Sequence, residues 1–96
     1  MFVVIFRATI RQLDIEYSQM AARMRELALT EFGCLEFQCV CEGNQEIALS
    51  YWPSEDNIRA WKNHPEHLKA QQLGREQWYE SYHVQVCEIK RDYSIK

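Results

Sequence analysis

Apolar and polar residues alternate along this chain with a period that changes from segment to segment, and each change marks an element. Residues 2–9, "FVVIFRAT", are β-branched and aromatic, which is the composition of a strand. Phe2, Val4, Phe6 and Ala8 take one face while Val3 and Ile5 take the other, so this strand has two apolar faces to cover. From Asp14 the period lengthens. Leu13, Tyr17, Met20, Met24 and Leu27 recur every three or four residues, Ala21 and Ala28 flank them, and Glu16, Arg23 and Glu26 lie away from that stripe. This predicts an amphipathic helix with Asp14 as its N-cap and Gly33 beyond its end.

The alternation then returns to two. In "CLEFQCVCE", Leu35, Phe37, Cys39 and Cys41 point one way and Glu36, Gln38 and Glu42 the other, with Val40 an apolar exception. "EGNQ" is a turn and "EIALSYW" a second strand, so the two strands form a hairpin. Pro53 cannot extend the ladder, and Ser54 is placed to cap a short helix whose first turn holds Glu55 and Asp56. That helix should stop near Asn63, because the residue before Pro65 avoids helical geometry. Pro65 suits the first turn of another helix reaching about Tyr79, and "SYHVQVCEIKRDY" closes the chain as a strand through Val84 and Val86.

The order strand, helix, strand, strand, broken helix, strand predicts an α+β ferredoxin-like sandwich (βαββαβ) with an antiparallel four-stranded sheet. Helices cover one face of such a sheet. The apolar second face of residues 2–9 and of the hairpin then calls for another chain, which predicts a homodimer packed sheet to sheet.

Composition narrows the picture. With 96 residues, 47% hydrophobic and 26% charged, the chain reads as a single globular domain over residues 1–96. No apolar run approaches the ~20 residues that span a bilayer. Arg7 interrupts the first apolar run, which also lacks a basic leader, so it reads as a strand of a cytoplasmic protein and not as a signal peptide. A net charge of −3 with mixed signs gives no basic footprint for nucleic acid. Cys34, Cys39, Cys41 and Cys87 form no Cys-x-x-Cys pair, so reduced, packed thiols are expected rather than disulfides or a zinc site. Dinucleotide and nucleophile-elbow motifs are absent, and no cofactor is expected.

The remaining candidate chemistry sits in "YWPSEDNIRAWKNHPEHLKAQQLG". Trp61 at helical spacing is an ordinary core position, and His64 before a proline is an ordinary cap. His64 and His67 are spaced for a metal on an unbroken helix, but Pro65 interrupts it and no third ligand is evident nearby beyond Glu66, whose direction differs. The functional alternative is a pocket wall. Asn57 and Trp61 share a helix face, His64 and His67 continue it past the break, and Tyr51 and Trp52 at the preceding strand end add aromatic surface. A histidine there has the right proton affinity to deprotonate a phenol or quinol near neutral pH.

The same region carries a family resemblance. Tyr51-Trp52, Trp61, His64-Pro65-Glu66-His67, Ala70-Gln71, Gly74, Trp78-Tyr79 and Arg91-Asp92-Tyr93, with Gly33-Cys34-Leu35 before them, resemble the antibiotic biosynthesis monooxygenase family. The resemblance implies a dimeric α/β barrel. It also implies oxidation of phenols or quinols, small or polycyclic, by molecular oxygen with neither metal nor flavin. Asn57 and Trp61 match a pocket-lining pair of such enzymes, and His67 falls where a substrate-contacting tyrosine stands in them. A non-catalytic dimeric barrel binding a small aromatic metabolite would use the same pocket. Haem degradation, another activity of the superfamily, is disfavoured: its axial histidine position falls at Gln71, and Phe6-Arg7 stands where an asparagine is expected.

Overall fold

The computed structural model describes residues 1–95. Its elements run β1 (Phe2–Ile10), α1 (Ile15–Glu31), β2 (Glu36–Glu42), β3 (Gln45–Trp52), α2 (Glu55–Lys62), α3 (Pro65–Leu73) and β4 (Tyr79–Glu88), with a π-helical turn over Gly74–Trp78 between the last two. The four strands form one antiparallel sheet in the order β2-β3-β1-β4, the ferredoxin-like arrangement expected. Among the described residues no helix is long and apolar enough to cross a membrane.

The helix boundaries follow the capping chemistry. The Asp14 carboxylate accepts the Tyr17 N–H at 2.8 Å, and the Ser54 hydroxyl accepts the Asn57 N–H at 3.3 Å. α1 ends where Gly33 turns to φ 78°, which lets the Cys34 N–H reach back to the Ala28 carbonyl at 2.9 Å. His64 caps α3 through Nδ1, which accepts the Glu66 N–H at 3.1 Å.

Two expectations fail at the end of the chain. The last helix does not run to Tyr79; it leaves α geometry at Gly74. A side chain at Gly74 would meet the Tyr79 ring at 3.1 Å, so glycine lets the two approach. The ladder between β1 and β4 then shifts register between Thr9 and Ile10, and this irregularity lets Tyr79 turn inward although Ser81 faces outward. β4 also stops at Glu88 instead of continuing to Tyr93. The last rung is Ile89 N–H to the Met1 carbonyl at 2.9 Å.

Register assigns the sheet faces. Val4, Phe6 and Ala8 of β1 lie beside Ser50, Ala48 and Glu46 of β3, and this face meets the helices. The core there is in two pieces. One joins Val4, Met24, Leu27, Trp52, Ile58 and Trp61 among others, and the second joins Ala8, Trp78 and Tyr79. The opposite face presents Val3, Ile5, Ile47, Leu49 and Tyr51, and among the described residues no helix lies over it. Ile47 there is 42% exposed.

Candidate functional site

The gap between the two pieces of core is a cavity of about 620 Å³, walled by the sheet on one side and by α1, α2 and α3 on the other. Its walls are mainly apolar and aromatic, the usual character of a small-molecule site. Ala21, Ala48 and Ala70 line it with small side chains where larger ones would close the space.

Of the six candidate residues, Trp61 and His67 line this cavity. Trp61 is 8% exposed and fixed at its polar edge, where Nε1 donates to the Met24 carbonyl at 3.1 Å and ties α2 to α1. The fully buried Trp52 lies behind it, ring centroids 5.2 Å apart, with its own Nε1 donating to the Ser50 hydroxyl at 2.8 Å. Trp52 therefore sets the position of Trp61 and does not itself line the wall.

His67 packs edge-on against Trp61 with centroids 4.2 Å apart. Its proton can be placed from its neighbours. Gln71 Nε2 lies 3.1 Å from the Lys62 carbonyl, an acceptor, so that amide atom is the nitrogen. The same Nε2 lies 2.8 Å from His67 Nδ1, which must therefore accept, and the neutral ring carries its proton on Nε2. Burial pushes the His67 pKa down to about 4, so the ring is neutral at physiological pH and serves as a hydrogen-bond donor.

The other three candidates lie outside the cavity wall. Tyr51 is on the far face of the sheet beside Val3. His64 is occupied as the α3 cap and packs against Phe32. Asn57 holds the end of α1: Nδ2 donates to the Phe32 carbonyl at 3.0 Å, and Oδ1 accepts from the Ser54 hydroxyl. A side chain at Gly33 would meet Asn57 Nδ2 at 2.8 Å, so the two residues fit as a pair.

The second polar end of the cavity was not anticipated. Glu46 occupies an inward position of β3, 4% exposed, and accepts hydrogen bonds from the Tyr17 hydroxyl at 2.5 Å and the Tyr79 hydroxyl at 2.9 Å. Burial, with the neighbouring carboxylate, pushes both phenols well above their ordinary range, so both remain protonated donors. Phe6 and Trp78 surround the group, with Tyr17 meeting Trp78 edge-on at 5.3 Å. Cys39 lies on the same inward side of β2, where partial burial and the Glu46 charge push its thiol up to about 11. Cys39 and Cys41 are exposed and not packed as expected; of the four cysteines only Cys34 is buried. The missed signal was small: with Ala48, Ser50 and Trp52 facing inward, alternation puts Glu46 inward too.

Comparison with known proteins agrees with this architecture. The family model described as antibiotic biosynthesis monooxygenase matches residues 1–73. The Bacillus subtilis protein YqjZ is 40% identical over 91 residues, spanning 94% of this chain and 80% of that one. Among solved structures, SnoaB, a cofactor-independent oxygenase from Streptomyces nogalater, superposes with a TM-score of 0.77 at 15% identity, covering 95% of this chain and 94% of its own. Rv0793 from Mycobacterium tuberculosis gives 0.78 at 16% identity, covering 97% and 98%. At such identities the two structures establish the fold.

Two outcomes follow from these placements. Asn57→Ala should lower stability in urea by about 1–2 kcal/mol, the cost of an unpaired helix-end carbonyl, and leave binding of a polycyclic phenol unchanged; weakened binding at intact stability would return Asn57 to the site. The folded protein accommodates neutral His67. Its contribution is therefore complete above pH about 6.5 and is lost as pH falls through about 4, on the order of 3 kcal/mol. Urea unfolding across that window should show a loss that His67→Gln removes; equal acid sensitivity of the variant would contradict the assignment.

Proposed function

Because this chain belongs to the antibiotic biosynthesis monooxygenase family, we propose that it is a cofactor-independent monooxygenase oxidising a small or polycyclic phenol or quinol with molecular oxygen. The observation that carries this reading is the aromatic-walled cavity with one polar group at each end, His67 beside Trp61 and Glu46 between two tyrosines. A flat, largely apolar ligand with oxygen atoms at opposite edges matches that distribution.

Chemistry without a cofactor requires the substrate to supply the electrons. Trp61 and Phe37 hold the ring system and exclude water. Glu46 is the carboxylate of the cavity wall, and each of its oxygens has a lone pair beyond the one used by a tyrosine. It draws the hydroxyl proton as the ring becomes an electron-rich anion. The His67 Nε2–H steadies the substrate oxygen on which negative charge gathers. The reaction balances with oxygen alone. The substrate loses its hydroxyl hydrogen and the hydrogen of the oxidised ring carbon, that carbon gains one oxygen atom, and the second oxygen atom leaves as water with those two hydrogens.

The protein acts, on this reading, as a cytoplasmic homodimer. The uncovered apolar face of Val3, Ile5, Ile47 and Leu49 supports a second copy of the chain packed sheet to sheet.

Purified, metal-free protein should consume oxygen with an anthrone-like or quinol substrate, and His67→Ala should lower turnover about a hundredfold. Saturable binding without oxygen uptake would overturn the oxygenase reading in favour of a barrel that carries a small aromatic metabolite. Light scattering should give the mass of a dimer, and Ile5→Glu, on the uncovered face, should give a folded monomer; a monomeric parent protein would exclude the dimer.

A further inference from the structure

The edge of the sheet beside Glu46 carries a second chemistry. Cys39 and Cys41 are alternate residues of β2, so both thiols project to the inward side of the edge strand. Cys41 stands directly opposite Glu46 in the ladder, and Cys39 stands opposite the small Ala48. The two Sγ atoms and a Glu46 carboxylate oxygen lie within 4.8 Å of one another. We propose that Cys39, Cys41 and Glu46 bind a thiophilic divalent cation of the zinc class at the β2 edge of the cavity.

The geometry is near that of an occupied site. Zinc bonds of ~2.3 Å to sulfur and ~2.1 Å to oxygen, arranged tetrahedrally, put ligand atoms about 3.5–3.8 Å apart. The observed atoms are within about 1 Å of that spacing, a gap that side-chain rotation closes without moving the strands. Glu46 can take the role without losing its present partners, since two phenols use two of the roughly four lone-pair sites of a carboxylate. Those phenols would fix the orientation of the ligating carboxylate, as outer-sphere hydrogen bonds do in metal sites. Two thiolates select soft or borderline ions over magnesium or calcium. Three protein ligands leave a fourth position for water, and exposed Cys39 and Cys41 give the ion a route from solvent. The sequence hides this site because its third ligand comes from the next strand, past the turn at Gly43 and Asn44.

Titrating cobalt(II), the spectroscopic stand-in for zinc, into the reduced full-length protein tests the proposal. A thiolate-to-cobalt charge-transfer band and tetrahedral ligand-field bands should rise to one equivalent and vanish when zinc is added. Cys39→Ser and Cys41→Ser should each abolish the charge-transfer intensity or weaken binding by at least about tenfold. Glu46→Gln should weaken binding about tenfold while keeping the thiolate band. Cys87→Ser, outside the cluster, should change neither. No thiolate band from fully reduced protein in a large excess of cobalt would overturn the site, as would a band that survives both cysteine substitutions. The readout is independent of oxygen uptake, so its failure leaves the oxygenase reading untouched.

Discussion

A carboxylate on the inward side of a sheet must be hydrogen-bonded or it destabilises the fold, and the way Glu46 meets that demand organises one half of this molecule. Its two oxygens are satisfied by Tyr17 of α1 and by Tyr79 at the start of β4. That pairing fixes how α1 lies over the sheet and requires Tyr79 to face inward. The π-helical turn and the register shift at the start of β4 both serve that placement. Even Asp14 takes part, capping α1 while accepting the Trp78 indole N–H at 3.2 Å.

The opposite half is organised by packing. Trp52 and Leu27 are completely buried, and Trp61 leans on Trp52 with its indole N–H tied to α1. Two rigid supports at separate places keep the helices off the middle of the sheet, where Ala48 and Ala70 leave the space unfilled. A cavity of this kind costs stability when empty, since its lining atoms lack partners. Polar groups at its two ends, His67 and Glu46 among them, give a ligand a defined orientation in return.

Much of this was legible in the sequence. Strand and helix periods, the caps at Asp14 and Ser54, and the break at Pro65 are local signals, and each element they predicted is present. The failures came from tertiary demands. Nothing local says that β4 stops at Glu88; the alternation carries on past it, while the ladder with β1 ends at the Phe2–Glu88 pair. Spacing put Trp61 and His67 on one face, and both line the cavity, because a helix face is a local property. Asn57 shares that face, but it sits where the end of α1 arrives, and the Phe32 carbonyl claims its amide. Glu46 was passed over because a charged residue beside a turn looks solvated until its register and its two phenol partners are known.

The most direct measurement is a crystal structure of the protein with a tricyclic phenol or its quinone product. Density for the ligand is expected between the sheet and the helices, one oxygen within hydrogen-bond distance of His67 Nε2 and its rings against Trp61. A ligand seated elsewhere, or a cavity filled by movement of α1 onto Ala48, would contradict the assignment of this space as the site.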